Sequence, residues 1–589
     1  MSSNTLINRL LPCLTWLRSY DSRQLSSDLV AASIVTLMLI PQSLAYAMLA
    51  GLPAETGLYA SMLPLIAYAL FGSSRTLSVG PVAVVSLMTA VAVGRLGADS
   101  GITSPQAAVL LALLSGALLI AGGVLRLGFL AKFLSHPVVA GFIASSGVII
   151  VLSQLKTVLG IKASGDNVPE LVATLWHNIG GLHVPTLLLG SATIIYLAWA
   201  RSGLKPLLQR CGLSAFASGQ IVKAAPVAAV VITTLIALLT SLGDRGIALV
   251  GTIPATLPSL RLPSFDPVML RQFIGPALLI TIIGYVESVS VGKTLGARRQ
   301  QKIDPDQELF GLGAANLASA LSGGFPVTGG FSRSVVNYDA GAETPAAGFF
   351  TAFGILLVAM LLTPLLAWLP QATLAATIIV AVAAMIDFSI LRLTWNYSRS
   401  DFIAVAATTA ATLLLGVETG VSCGVAASLL LHLYKTSRPH IAEVGEVAGT
   451  GHFRNVRRHK VETHPALLSL RVDESLYFAN ASYIEDEIFR SLQQHHGVHH
   501  VILLCTAVNE IDLSALHVLE TVNQRLKAMQ IGFHLSEVKG PVMDALQRSE
   551  FLQHLNGDVF LSHAQAVHTL QERELQSLRV HPEYQDFQI

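Results

Sequence analysis

The fold of this chain is decided by residues Pro41–Met88, which read PQSLAYAMLAGLPAETGLYASMLPLIAYALFGSSRTLSVGPVAVVSLM. This stretch is apolar enough to lie in a membrane, yet proline, glycine and small polar residues interrupt it repeatedly. A helix broken at membrane depth leaves backbone N–H groups unpaired, which is tolerated only where the break is buried or lines a watery cavity. A helix N-terminus in such a place can hold an anion through its free N–H groups and positive dipole end. The stretch therefore predicts a membrane protein that handles anions.

The composition of the whole chain indicates a polytopic membrane protein. Of 589 residues, 52% are hydrophobic and 12% are charged, whereas soluble domains carry about 25% charged residues. The deficit comes from long uncharged runs such as those between Asp28 and Glu55 and between Glu343 and Asp387. Because a spanning helix needs roughly 20 apolar residues, most such runs hold one predicted span, and the run after Glu343 holds two.

The charges that flank the apolar runs predict the topology. Arg9, Arg18 and Arg23 precede the first span, and Lys435 and Arg438 follow the last one. By the positive-inside rule both termini are then cytoplasmic, which requires an even number of spans. We expect 14 spans, two of them short and broken, in the inner (cytoplasmic) membrane, with membrane lipid around them. Twelve spans are the alternative.

The chain divides into two parts of different character. We expect a cytoplasmic N-terminus over residues 1–24, a membrane domain over 25–436, a linker over 437–454, a soluble domain over 455–570 and a tail over 571–589. No run beyond the membrane domain is long and apolar enough to span the membrane.

The soluble part alternates strand and helix patterns. The predicted strands are Ala466–Val472, His500–Cys505 and Ile531–Leu535, and the predicted helices are Tyr483–Gln494 and Leu513–Met529. Such alternation is typical of a small α/β domain with helices packed on a sheet.

A weak internal repeat points to a binding site. The broken segments Ser78–Val85 and Phe325–Val335 each follow the start of a predicted span at a similar distance. Corresponding interruptions in two halves are typical of a midplane site between inverted repeats.

Three long motifs give the chain a resemblance to a known family. PQSLAYAMLAGLPAETGLYAS (41–61), SRTLSVGPVAVVSLM (74–88) and ESVSVGKTLGARRQQKIDPDQELFGLGAANLASALSGGFPVTGGFSRSVVN (287–337) resemble the sulfate permease (SulP) family, and within it the bacterial and plant-like branch. The segment AVNEIDLSALHVLETVNQRLKAMQIGFHLSEVKGPVMDALQRS (507–549) resembles the STAS domain of the same family.

The resemblance implies an α-helical polytopic membrane protein with 14 segments in two inverted repeats of seven, which form a core and a gate domain. It also implies a C-terminal cytoplasmic α/β STAS domain with an unknown cytoplasmic partner, and a homodimer.

In the family, two half-helices meet N-terminus to N-terminus around the anion. Proline is favoured at such a helix start, and glycine lets the backbone approach a ligand closely. The alternative is a flexible packing kink. The resemblance places the two N-termini at Gly80, Pro81, Val82 and Ala83 and at Thr328, Gly329, Gly330, Phe331 and Ser332.

Arg333 lies just inside the second half-helix. A cation in a membrane segment costs roughly 2.5–3.5 kcal/mol on insertion scales, so it should serve a purpose. We expect Arg333 to attract the anion while Ser332 donates a hydrogen bond to it. The alternative is an arginine that snorkels to the interface.

Gln42 and Tyr46 are four residues apart and therefore share one helix face. The resemblance implies that such side chains line the pocket; packing between helices is the alternative.

Glu287 lies within the predicted span IGYVESVSVG. Burial disfavours the charged form of a carboxylate, so this group is suited to binding a proton together with the substrate. In the family a glutamate here is associated with proton coupling, whereas relatives with aspartate can be sodium-coupled. The alternative is a structural ion pair with Lys293 or Arg333.

In the STAS-like part, Ser514 matches the serine that is phosphorylated in anti-sigma-factor antagonists and is a candidate regulatory phosphosite. Leu513 and Ala515 depart from the motif, and helix capping by Asp512 and Ser514 is the alternative.

We expect a secondary active transporter that takes up sulfate with a co-transported proton by alternating access. Transport or exchange of dicarboxylate, bicarbonate or chloride is one alternative, and a STAS-based membrane sensor or scaffold is another. We expect no enzyme activity, because no nucleophile–base pair, metal motif or P-loop occurs. We likewise expect no cofactor, no metal and no nucleic-acid partner; the net charge is only +1.

Overall fold

The computed structural model describes residues 11–100, 102–132, 135–214, 218–219, 221–222, 224–252, 267–361 and 363–580. The first ten residues of the predicted N-terminal segment 1–24 and residues 581–589 of the predicted tail lie outside this description. The chain forms two units, Met1–Leu429 and Leu430–Ile589.

The first half of the membrane unit is built from helices and one short strand. Their bounds are α1 Cys13–Leu17, α2 Ser22–Leu49, α3 Ala54–Tyr59, α4 Leu63–Phe71, β1 Val79–Gly80, α5 Ala83–Ser100, α6 Ser104–Val124, α7 His136–Leu159, α8 Val168–His177, α9 Val184–Trp199, α10 Lys205–Arg210 and α11 Ala225–Thr240.

The second half has the same sequence of long helix, short strand and half-helix. Its elements are α12 Pro267–Arg298, α13 Pro305–Leu321, β2 Thr328–Gly329, α14 Phe331–Asp339, α15 Ala346–Leu361, α16 Thr363–Leu366, α17 Gln371–Ala383, α18 Ser389–Tyr397, α19 Arg399–Leu415 and α20 Val417–Ser437.

Fourteen segments of the described chain correspond to the predicted spans. Seven helices or helix pairs are long and apolar enough to cross a membrane by length and composition, and α5, α11, α15 and α17 contain shorter apolar helices. The 17-residue helices α13 and α19 and the half-helix α14 complete the set. Seven of these segments precede residues 253–266 and seven follow.

The two halves pack against each other reciprocally. Helix α6 of the first half lies on α12 and α13 of the second, and the corresponding helix α15 lies on α2 and α4 of the first. In the same way α7 contacts α17 and α19, while α17 contacts α7 and α9. Two repeats related by a pseudo-two-fold axis produce reciprocal contacts of this kind. The predicted fold class is confirmed.

The second unit is an α/β domain with a six-stranded sheet. Its elements are β3 Ile441–Val447, β4 His452–Asn455, β5 Leu467–Val472, α21 Ala481–Gln493, β6 His500–Leu504, α22 Leu513–Ala528, β7 Gly532–Ser536, α23 Gly540–Gln547, α24 Phe551–His554, β8 Val559–Phe560 and α25 His563–Val580. The strand order is β4-β3-β5-β6-β7-β8, and β5 to β8 are parallel.

All five elements predicted for this domain are confirmed, because β5, α21, β6, α22 and β7 coincide with them to within two residues. The structure differs at both ends of the prediction. Residues 437–454, expected as a linker, contain β3 and most of β4; β3 pairs with β5, and β4 pairs with β3 at the edge of the sheet. The tail expected from residue 571 continues helix α25 to Val580.

Candidate functional site

Two short strands bring the broken segments of the two halves together. β1 pairs antiparallel with β2, with Val79 opposite Gly329 and Gly80 opposite Thr328. The half-helices α5 and α14 begin directly after these strands, so their N-termini lie side by side. No side chain caps the N-terminus of α14, which leaves its first N–H groups available to water or a ligand. The structure thus brings together the nine residues predicted to form the two N-termini.

Buried polar side chains that the sequence did not single out hold this crossing in place. Ser334 Oγ accepts a hydrogen bond from the backbone N–H of Ser78 at 3.0 Å and donates to the Gly330 carbonyl at 2.7 Å. The Asn316 amide accepts from Val327 N at 3.0 Å and donates to Val327 O at 2.9 Å. These bonds tie α13 and α14 to both strands.

Helix α12 supports the crossing through Ser288, which is fully buried. Its Oγ accepts from the N–H of Gly329 at 2.8 Å and lies 2.6 Å from the hydroxyl oxygen of Thr328. Both hydroxyls also donate to the carbonyl of Gly284. The strand that precedes α14 is therefore fixed to the helix that carries Glu287.

Arg333 lies at the centre of the crossing and is 2% exposed. Its Nη2 donates a long hydrogen bond of 3.4 Å to the carbonyl of Thr328, while Nη1 has no partner among the described residues. A Cβ built on Gly80 would lie 2.4 Å from Nη1. The guanidinium therefore faces the first strand and is buried, so it does not snorkel to an interface.

Glu287 and Tyr46 face the same guanidinium. Both are buried, with exposures of 7% and 9%, and both interact electrostatically with Arg333 and with each other. Among the described residues, neither Arg333 nor Lys293 comes close enough to Glu287 to form an ion pair. The structural ion pair considered for Glu287 is therefore not formed.

A cavity of about 230 Å³ reaches the beginning of α14 from one side. Gln42 and Ser332 both line it, together with Thr377 of α17 and with Arg201, which donates to the carbonyl of Val380 at 2.7 Å. Tyr46 does not line this cavity, so the two predicted pocket residues of α2 have different surroundings. Phe331 is 48% exposed.

A second cavity of about 320 Å³ lies one helical turn further along the same helices. On α2 the smaller cavity meets Gln42 and the larger one meets Ala45; on α17 they meet Thr377 and Leu374 respectively. Two cavities separated by about one turn of packed helix are an arrangement that could admit a ligand from either side.

Ser514 is exposed in the first turn of α22. The N-cap of this helix is Asp512, whose Oδ1 accepts from the N–H of Ala515 at 2.8 Å. Capping by Asp512 is thus confirmed, while phosphorylation of Ser514 stays a prediction.

Comparisons with known proteins agree with this geometry. The model of the sulfate permease family matches residues 25–408, and that of the STAS domain matches residues 458–566. Sulfate transporter 4.1, chloroplastic, of Arabidopsis thaliana is 35% identical over 93% of this chain and 80% of its own length. Probable sulfate transporter Rv1739c of Mycobacterium tuberculosis (strain ATCC 25618 / H37Rv) is 32% identical over 95% of this chain and 98% of its own length.

Solved structures share the fold. The overall structure of SLC26A9 superposes with a TM-score of 0.87 at 20% identity, covering 98% of this chain and 95% of that one. The transmembrane domain of the cyanobacterium bicarbonate transporter BicA gives a TM-score of 0.59 at 24% identity, covering 69% of this chain and 98% of that one.

Proposed function

Because the chain belongs to the sulfate permease family, a family of anion transporters, we propose that it takes up sulfate together with protons. The observation that carries this proposal is the buried guanidinium of Arg333, whose Nη1 has no partner among the described residues and which lies where two half-helices begin. An unpaired buried donor costs free energy that a bound anion recovers. Its neighbours are helix N-termini, which favour anions as well.

Sulfate suits this arrangement for two reasons. It is a doubly charged tetrahedral oxyanion, so it can accept bonds from several N–H groups, from Ser332 and from a guanidinium at once. The relatives in plants and mycobacteria carry the name of sulfate transporters at 32–35% identity. Bicarbonate is the second candidate, because the transmembrane domain of a bicarbonate transporter has the same fold.

Glu287 supplies the proton site in this proposal. An ionised carboxylate beside the anion would repel it, and a protonated one would not. Sulfate and a proton on Glu287 therefore favour each other's binding, which is the thermodynamic content of coupling. The absence of an ion-pair partner for Glu287 among the described residues leaves the carboxylate available for protonation.

Transport in this proposal proceeds by alternating access. The two cavities approach the site along α2 and α17 from opposite sides. The smaller cavity reaches Gln42 and the larger one reaches Ala45. A movement that connects the anion first with one cavity and then with the other would expose it to each side of the membrane in turn. We further propose a homodimer in the inner membrane with both termini in the cytoplasm, and Ser514 as its regulatory phosphosite.

The test is uptake of radiolabelled sulfate into liposomes that contain the purified protein, with and without an inward proton gradient. We expect uptake driven by the gradient in the wild type, and loss of that drive in Glu287→Gln. Glu55→Gln, in the first turn of α3 and outside the site, is the matched control and should keep gradient-driven uptake.

No sulfate flux under either condition would refute the substrate, and competition with bicarbonate, fumarate and chloride would then identify the anion. Sulfate flux that ignores the proton gradient would refute the coupling alone.

A further inference from the structure

The larger cavity has a polar wall that the central site does not use. It is lined by α2, α5 and α17 on one side, and by the last turns of α7 and the loop after it on the other. The α7 side carries Ser153, Gln154, Lys156 and Thr157, interrupted only by Leu155. A cluster of polar residues at the end of an otherwise apolar spanning helix calls for a physical reason.

Lys156 brings a positive charge to this wall. It is partly buried, and its ammonium group donates to the carbonyl of Ala163 at 3.2 Å. A carbonyl leaves the charge uncompensated, and among the described residues Lys156 forms no ion pair. Asp166 also lines the cavity, so the lining carries one positive and one negative charge and the attraction for an anion is local to Lys156.

Gln154 is the second and independent observation. Its side chain is 8% exposed, lines the cavity and makes no hydrogen bond within the described part of the chain. Buried polar groups are almost always paired, so the Gln154 amide requires water or a ligand from the cavity. Because Gln154 and Lys156 both line this cavity, an amide donor and a cation are available there to one oxyanion.

We propose that the larger cavity is an access site for the transported oxyanion, which Lys156 and Gln154 bind before it reaches Arg333. This inference rests on the proposed function. The nearby carboxylate of Asp166 suits such a role, because an anion that Lys156 holds only weakly can move on to the site between the half-helices. Leu87 and Ala45, on the opposite wall, lie about one turn beyond Ala83 and Gln42 of that site.

The experiment measures the concentration dependence of sulfate uptake into proteoliposomes for three lysine variants. We expect Lys156→Gln to raise KM about 10-fold with kcat unchanged, because a charge-assisted hydrogen bond is lost before the rate-limiting step. Lys156→Arg should restore KM. Lys162→Gln, which removes an exposed cation that does not line the cavity, is the matched control and should leave KM at the wild-type value.

Two further measurements keep the inference falsifiable if Lys156→Gln folds poorly. Gln154→Leu preserves volume and should also raise KM, and added inert salt should reduce the difference between wild type and Lys156→Gln. Equal KM values for Lys156→Gln and wild type would overturn the access site while wild-type uptake upholds the proposed function. A fall in kcat with KM unchanged would overturn it too, and a wild type without sulfate flux would refute the proposed function itself.

Discussion

The close contact between Gly80 and Arg333 predicts that Gly80→Ala will impair transport and leave folding intact. Replacing Gly80 by alanine places a Cβ 2.4 Å from Nη1 of Arg333, about 1 Å nearer than an ordinary contact. The obstructing atom is the end of a flexible side chain and not backbone. The guanidinium can therefore move away while β1, β2 and the half-helices keep their places.

The expected change in KM follows from the hydrogen bond to the anion that is lost when the guanidinium moves. The displaced Nη1 no longer points to the space between the half-helices, so the anion loses one charge-assisted hydrogen bond, worth about 1.5–3 kcal/mol. Since about 1.4 kcal/mol is a factor of ten, KM for the anion should rise about 10- to 100-fold. The cost to folding is small, because the Arg333 side chain can adopt another rotamer.

The assay pairs sulfate uptake with thermal unfolding of the same detergent-purified protein. Gly94→Ala, later on α5, is the matched control, because its Cβ would meet nothing within 4 Å. This control should keep wild-type KM and should not lower stability, since alanine favours a helix over glycine. A Gly80→Ala protein with the wild-type KM would refute the contact between Gly80 and Arg333. A Gly80→Ala protein that loses stability as well as uptake would refute the prediction that folding is left intact.

Three further predictions concern stability. Ser288→Ala leaves the buried N–H of Gly329 unpaired and should cost about 1–3 kcal/mol in the unfolding free energy, whereas Ser290→Ala, on an exposed position of α12, should cost little. Glu308→Ala should lower the melting temperature more than either, because the carboxylate accepts from the N–H groups of Ser73 and Ser74 at 2.9 and 3.1 Å. Burial lowers the pKa of His534 and of His563 to about 4, below the ordinary 6.5. The free energy of unfolding therefore keeps its full value above pH 6.5 and decreases as the pH falls towards 4, because the unfolded chain takes up these protons first. In urea unfolding of residues 439–580, the free energy of unfolding should decrease by about 2 kcal/mol per histidine between pH 7 and pH 5. The decrease should be smaller in His534→Gln and unchanged in the exposed His459→Gln. A midpoint that does not depend on pH would contradict this.

The sequence predicted the broken segments and the strands of the soluble domain for clear physical reasons. Proline and glycine inside an apolar run mark an interrupted helix, and β5 and β6 are mostly apolar because both faces of a parallel sheet are buried. Strands β3 and β4 were missed. β3 carries Glu443 and Glu446 among its apolar residues, and β4 (HFRN) has no buried residue, so both segments look like a solvated connection in the sequence.

The residues that support the site could not be recognised from their pattern. A serine in a membrane helix usually bonds the carbonyl four residues earlier, as Ser288 does with Gly284. Only the fold reveals that the same hydroxyl also accepts from Gly329 of the other segment. The two cavities likewise arise where α2 meets α17, helices more than 300 residues apart in the chain.

The buried charges of the membrane unit differ in how completely the protein bonds them. In the described part of the chain four charged side chains are buried: Asp28, Glu287, Glu308 and Arg333. Asp28 accepts from Glu343 N at 2.7 Å, from Thr344 N at 3.1 Å and from two hydroxyls, and Glu308 is bonded as fully. A buried charge whose hydrogen bonds are all made within the protein stabilises the fold and is not available to bind a ligand.

Glu287 and Arg333 are different: Arg333 makes one long hydrogen bond and its Nη1 has no partner, while Glu287 makes no hydrogen bond or ion pair within the described residues. Leaving the buried Nη1 of Arg333 unpaired costs stability, and the fold nevertheless holds it there, with Ser288 and Ser334 fixing the backbone around it. In the function proposed above, an anion bound at Arg333 removes that cost, and a proton on Glu287 removes the repulsion between the carboxylate and the anion. The proposed loaded site is then the state in which both groups are satisfied.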